Sequence, residues 1–199
     1  MFKYQNVNVT DLPESVDWRD KGAVTPIKRQ GRFMLGFAAL AAVEGAFKIN
    51  TSRLVSLNGG VTLEDNYPYT ETQGCCQERK ARTPVAYITD YQHVPANKEA
   101  LLKHVAHQTV SAAVFSEKVN FKQYRGGLFF EHHEDYPNHT VTIVRYGKYR
   151  NFLRDKGYMK VARDIGLRYG VCGIARAINF KEEFSPMFLE EEQRQEIVN

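Results

Sequence analysis

The sequence predicts an α+β fold in two lobes, because its helix-forming runs come first and its strand-forming runs follow. Residues 37–49, FAALAAVEGAFKI, combine strong helix formers with apolar residues on nearly every face, which predicts a buried helix. From residue 109 onward the chain changes to short β-branched or aromatic runs separated by glycine and charge. No internal repeat interrupts this order.

Taken in order, residues 1–36 read as an extended leading segment with turn signals at Pro13, Gly22, Pro26 and Gly31. The helix of residues 37–49 follows, and then a loop-rich stretch over 58–76 that opens Asn58-Gly59-Gly60. Residues 97–107, NKEALLKHVAH, put Leu101, Leu102, Val105 and Ala106 on one stripe, with Asn97 as N-cap. Strands are predicted at TVSAAVF (109–115), GGLFF (126–130), TVTIVRY (140–146), KGYMKVA (156–162) and VCGIARAINF (171–180). The tail, 181–199, differs in composition. It offers Ser185-Pro186 as a helix start, but a frayed, solvated acidic end is expected.

Composition narrows the function classes. With 43% hydrophobic and 25% charged residues in 199, the chain is that of a soluble globular protein. The net charge is +4, split into −4 on residues 181–199 and +8 on the rest, too mild to imply a nucleic-acid partner. No window approaches the roughly 20 apolar residues of a membrane span. The start, MFKYQNVNVTDLPESVDW, has no apolar signal core, so a cytosolic start is expected. Cys75, Cys76 and Cys172 form neither a tidy disulfide framework nor a CxxC metal pair.

Several separate segments then point one way. LPESVDWRDKGAVTPIKRQG (12–31) resembles the mature N-terminus of papain-like cysteine peptidases, especially plant vacuolar and senescence-type members. FAALAAVEG, LVSL, NGGVTLEDNYPYT, ALLKHVAHQTVS, FKQYRGGLF, NHTVTIVRYG, KGYMKVARD and YGVCGIA are similar to that family in the family's own order. The resemblance implies a papain-like two-lobe fold, internally truncated. Residues 1–10 would be the end of a propeptide, 11–92 a shortened helical lobe, 93–180 a β-rich lobe and 181–199 the acidic tail. Family members are vacuolar, lysosomal or secreted.

Papain-like chemistry needs a cysteine thiolate at the start of the buried helix, a histidine as its acid–base partner, an asparagine that orients the ring, and a glutamine in the oxyanion hole. Carried over by position, Gln30 matches the oxyanion glutamine and His139 the histidine, while Asn151 is the candidate orienting asparagine in a shortened segment. The nucleophile position falls on Gly36 when counted from Gln30-Gly31, and on Met34 when counted back from Phe37 and Val43-Glu44-Gly45. Neither side chain can attack a carbonyl. Met34-Leu35-Gly36-Phe37 can be written ATG CTG GGC TTC, which one nucleotide later reads Cys-Trp and the start of Ala. A short frame disturbance would account for that.

Other parts of the family pattern are also missing. Leu57 runs straight into Asn58, where the resemblance implies a segment carrying two disulfide cysteines and a substrate-binding Gly-Gly. The partner expected for Cys76 lay in that segment, and the position pairing with Cys172 is His133. Arg145 stands where the family has glycine. Each lost disulfide typically costs about 2–5 kcal/mol, against a total stability of about 5–15 kcal/mol.

The resemblance implies no cofactor and no metal. Expected partners are peptides, cystatin-type inhibitors or protease propeptides, with no nucleic acid or membrane, and a monomer is expected. His132-His133-Glu134-Asp135, and His104 with His107, are weighed as metal ligands against a solvated loop, which is preferred. Residues 145–168 carry eight bases and two acids among aromatics, a pattern read as a charged hairpin face before a nucleic-acid surface. Three functional readings follow: an active cysteine endopeptidase, a folded pseudoprotease, or the product of a decayed or mis-assembled gene.

Overall fold

The computed structural model describes residues 2–27, 34–52, 75, 79, 92–131, 136–148, 157–163 and 165–176. Gln30, Asn151, Cys76, His133, nearly all of the loop at 58–76 and the tail at 181–199 lie outside these residues.

The leading segment is built from turns. A 3-10 turn at Val9–Asp11 is capped by Asn8, whose side chain accepts from the Thr10 N–H at 3.2 Å. Strand β1 (Val16–Asp17) follows, then helix α1 (Met34–Thr51) and helix α2 (Lys98–Val105). After them come β2 (Val110–Val114), the short α3 (Val119–Lys122), β3 (Leu128–Phe129), β4 (His139–Ile143), β5 (Arg145–Tyr146) and β6 (Lys160–Val161). The two longer helices precede β2–β6, as the change of period predicts, while the two-residue β1 comes before them and the short α3 falls among the strands. The strands pair two by two: β1 with β5 and β2 with β4 antiparallel, β3 with β6 parallel.

Two apolar clusters hold these pairs together. Val114, Phe129, Ala162, Val171 and Cys172 form one, with Met159, Val161, Leu167 and Ile174 packed against it. Val16, Trp18 and Ala23 form the other, closed by Val24 and Tyr146. Trp18 is the chain's single tryptophan, and its Nε1 donates to the Val105 carbonyl at 2.8 Å. A buried indole that finds an acceptor ties the leading segment to the end of α2.

Asn97 caps α2 as expected: its Oδ1 accepts from the Ala100 N–H at 2.7 Å. The buried face of α2 shares only Val105 with the predicted stripe. Ala100, Lys103, His104 and Val105 are buried, while Leu101, Leu102 and Ala106 are only half-buried. The reason is tertiary. Phe2 and Tyr4 of the leading segment cover His104, and Lys103 pairs with Glu99 at 2.7 Å.

Helix α1 also differs in degree, since Ala39 and Ile49 are exposed and much of the helix is half-buried. The run starting at Val171 was predicted as a strand, but it begins as a 3-10 turn over Val171–Gly173. Gly170, Cys172 and Gly173 all have positive φ, which no extended strand accommodates. One strand-like bond survives, from the Phe115 N–H to the Cys172 carbonyl at 3.0 Å.

Candidate functional site

The geometry around His139 starts from a seam of polar contacts between α1 and the antiparallel β2–β4 pair. Thr142 Oγ1 donates to the Ala38 carbonyl at 3.4 Å, and Thr109 Oγ1 donates to the Ala42 carbonyl at 3.2 Å. Gly45 is what allows so close an approach. A Cβ there would run into the Thr109 side chain and lie 3.1 Å from the Ala23 carbonyl oxygen. Next to it in sequence, Glu44 is 2% exposed and accepts from Thr25 Oγ1 at 2.6 Å. A buried carboxylate needs such donors, because burial without them is costly.

The seam sets a direction. Thr142 lies in β4, and Thr109 precedes Val110, the residue paired with Ile143. From Ala38 to Ala42, therefore, α1 advances the same way as β4. Carried back four residues, about 6 Å of helix, the first turn of α1 lies toward the His139 end of β4. Met34 and Gly36 are both in that turn.

His139 opens β4 and faces Val114 across the ladder. The residue before it is well anchored: Asn138 donates its N–H to the Val114 carbonyl at 3.0 Å. Asn138 Oδ1 in turn accepts from the Ser116 N–H at 2.9 Å and from Ser116 Oγ at 3.1 Å. This pins the backbone on which the imidazole is mounted. The ring is half-buried and lines a cavity of about 960 Å³, together with Thr25, Leu40, Glu44, Thr140 and Tyr146. Burial lowers its pKa below the ordinary 6.5, so the ring is neutral at pH 7.

Chemically, the described part of the site offers an anchored neutral imidazole at the rim of a cavity, toward which the start of a helix is directed. A neutral imidazole can accept a proton but needs a neighbouring nucleophile to activate. No cysteine occurs in residues 1–74, and the two described cysteines lie elsewhere in the sequence, at Cys75 and Cys172. Cys172 is buried, and that burial, followed by the Glu131 carboxylate, pushes its thiol pKa up to about 11. It is a core residue, not a reactive one.

Of the sequence-predicted site residues, the structure places His139 as described, and Gln30 and Asn151 lie outside the described residues. Sequence reasoning missed the Thr109, Thr142 and Glu44 seam. Its signal was weak: single threonines in strand-like runs and one acid inside an alanine-rich helix. His104 and His107 were weighed as metal ligands, whereas the structure lays both rings against Tyr4.

Comparison with known proteins decides the family. The "Papain family cysteine protease" domain matches residues 12–59 and 53–181. The chain belongs to that family. It is 35% identical over 224 residues to the senescence-specific cysteine protease SAG12 of Arabidopsis thaliana, a match covering 90% of this chain and 65% of that protein. The chain thus spans about two thirds of that relative's length. Among solved structures, the proform of the ragweed pollen allergen cysteine protease Amb a 11 superposes with a TM-score of 0.78 at 30% identity, covering 88% of this chain and 67% of that one. The bromelain protease of Ananas comosus, solved in complex with the E64 inhibitor, gives 0.75 at 30% identity, covering 83% of this chain and 97% of that one. The α+β papain fold expected from the sequence is the fold of this chain.

Proposed function

We propose that this papain-family chain does not cleave peptides and acts instead as a non-cleaving binder of extended peptides or protease propeptides. The observation that carries this reading is the start of α1. The helix opens at Met34, no cysteine precedes residue 75, and no serine lies between Ser15 and Ser52. His139 therefore has no cysteine thiol or serine hydroxyl at the helix start to deprotonate. Binding is supported by relatives solved with a propeptide in place or with an inhibitor bound, and by the cavity between α1 and β4.

The test is a fluorogenic dipeptide and protein-substrate assay of purified chain, with and without E-64. No E-64-sensitive turnover is expected, and any such turnover sinks the reading. Saturable binding of a cystatin-type inhibitor or of a relative's propeptide to folded protein is expected, and its absence removes the binding half.

One observation favours a second reading, a mis-assembled gene product. The family match comes in two pieces that meet at residues 53–59, where the sequence lacks an expected segment. Transcript sequencing across residues 30–60 and 145–160 tests it. Recovery of the missing codons would mean that the expressed protein is longer and cysteine-bearing. Codons at 34–36 other than ATG CTG GGC would remove the frame-disturbance explanation.

A further inference from the structure

The cavity beside His139 has a one-sided charge. Arg19 borders it just after β1, Arg145 and Lys148 at and after β5, and Lys160 and Arg163 at and after β6. Arg125, before β3, and Lys98, at the start of α2, bring the bases to seven. Among the described residues, Glu44 is the one carboxylate on the same wall. Two more carboxylates reach these bases from outside it: Asp17 holds Arg19 at 2.6 Å and lies 3.6 Å from Arg145, and Glu14 meets Lys148 at 3.2 Å. Seven bases against these three carboxylates leave an excess of four. Residues 1–180 together carry +8, so those outside this set add another +4 and do not offset the excess. Between the bases the wall is apolar, with Phe37 and Leu40 from α1, Leu101 and Leu102 from α2, and Met159 and Ile174.

We infer that this cavity selects acidic peptides of a partner protein, ones that carry apolar side chains between glutamates or aspartates. The inference rests on the peptide-binding reading above and adds to it the sign of the ligand's charge. A concave surface lined by one sign of charge focuses its field and raises the local concentration of the opposite sign. Two of the guanidiniums are laid flat on rings, Arg19 over Tyr158 at 4.6 Å and Arg163 over Tyr146 at 5.8 Å. A guanidinium so placed still offers its N–H edge to a carboxylate. Arg19 shows the fit, since its Nε and Nη2 both donate to the Asp17 carboxylate, at 2.9 and 2.6 Å. One exposed ion pair changes affinity by no more than about fivefold. Selection therefore needs several carboxylates at once, and bases spread over five elements suit an extended chain better than a single small anion. The apolar wall between them favours a peptide over a nucleic-acid backbone.

The experiment is fluorescence anisotropy of the full chain with labelled extended peptides that differ only in bearing glutamate, glutamine or lysine between fixed apolar residues. The glutamate peptide should bind at least about tenfold tighter than the glutamine peptide, with the lysine peptide weakest. That margin should narrow between 0.01 and 0.15 M salt, as the Debye length falls from about 30 to about 8 Å. Arg125 is exposed, so Arg125→Glu alters the wall without touching the core. It should cut the glutamate-over-glutamine margin by about threefold or more, whereas Arg168→Glu, which lies outside this cavity, should leave it unchanged. Equal binding of the glutamate and glutamine peptides would overturn the inference while leaving peptide binding itself in place, and no binding of any peptide would remove both. An equal loss in Arg125→Glu and Arg168→Glu would trace the preference to overall charge and overturn it. So would a thymidine oligonucleotide of matched charge binding as tightly as the glutamate peptide. If acidic peptides bind only after the six glutamates of residues 181–199 are changed to glutamine, the occupant is the chain's own tail, and a partner protein is excluded. The peptide series alone decides the sign of the preference without any variant.

Discussion

Two histidines of this chain sit in opposite surroundings. His139 stands on a backbone fixed by the Asn138–Ser116 bonds, beside a seam in which Thr109, Thr142 and Glu44 each have a named hydrogen-bond partner. His104 is covered by loose aromatic contacts, and its Nδ1 has no partner among the described residues. Burial disfavours the charged form of both rings. What differs is what surrounds the ring: a bonded polar network fixes one position of the backbone, whereas the other ring is held by aromatic packing. Of the two positions, His139 therefore has the more firmly fixed backbone.

The contrast is sharpest at Gly45. A Gly45→Val variant forces side-chain atoms into Thr109 and should cost about 3 kcal/mol or more, read as a fall in the urea midpoint. A midpoint within experimental error of wild type would mean that the seam is not tightly packed. Trp18→Phe keeps most of the apolar contact but leaves the Val105 carbonyl without its donor, and a loss of about 1–3 kcal/mol is expected in the same measurement.

Acid tests both histidines together. Each folded-state pKa lies below 6.5, so the unfolded chain takes up protons first as pH falls and stability drops from pH 6.5 downward. Above pH 6.5 these two groups contribute no slope. In His139→Gln the drop between pH 7 and 5 should be shallower, measured by denaturant titration at each pH. An equal or steeper drop would show that the His139 ring is not held neutral in the fold.

A milder effect separates the thiols. Exposed Cys75 should react with a thiol reagent at pH 8 within minutes, whereas Cys172, held near 11, should react only when the protein unfolds. Prompt labelling of both would place Cys172 outside a closed core. The smallest expected change is Arg145→Gly, the residue that the sequence resemblance implies there. Arg145 approaches Asp17 at 3.6 Å, but Arg19 already holds Asp17 at 2.6 Å, so the loss should stay below about 1 kcal/mol. A larger loss would make Arg145 a compensating residue.

Much of this was legible in the sequence where the signal is local. The Asn97 cap, the position of α1, and the strands at 110–114 and 139–146 follow from side-chain type and period. Several segments in one order carry the family resemblance without any tertiary information. Apart from Val105, the buried face of α2 was not legible, because Phe2 and Tyr4, which lie far earlier in the chain, cover His104. Nor was the turn at Val171–Gly173, where positive φ at Cys172 overrides an apolar, strand-like run. NHTV offered His139 as a candidate, but its neutral state depends on burial that no local pattern encodes.

The pairing of β1 with β5 also bears on how the chain is made. Trp18 donates its backbone N–H to the Val144 carbonyl, and Tyr146 Oη donates to the Pro13 carbonyl, contacts that join an early part of the described chain to a late one. On a ribosome adding about 5–20 residues per second, the leading segment emerges many seconds before its strand partner exists. During that interval Val16 and Trp18 have no β5 to cover them. Nascent chains interrupted before residue 146 would therefore present this apolar corner to chaperones, and completion of synthesis, not local folding, sets when the corner closes.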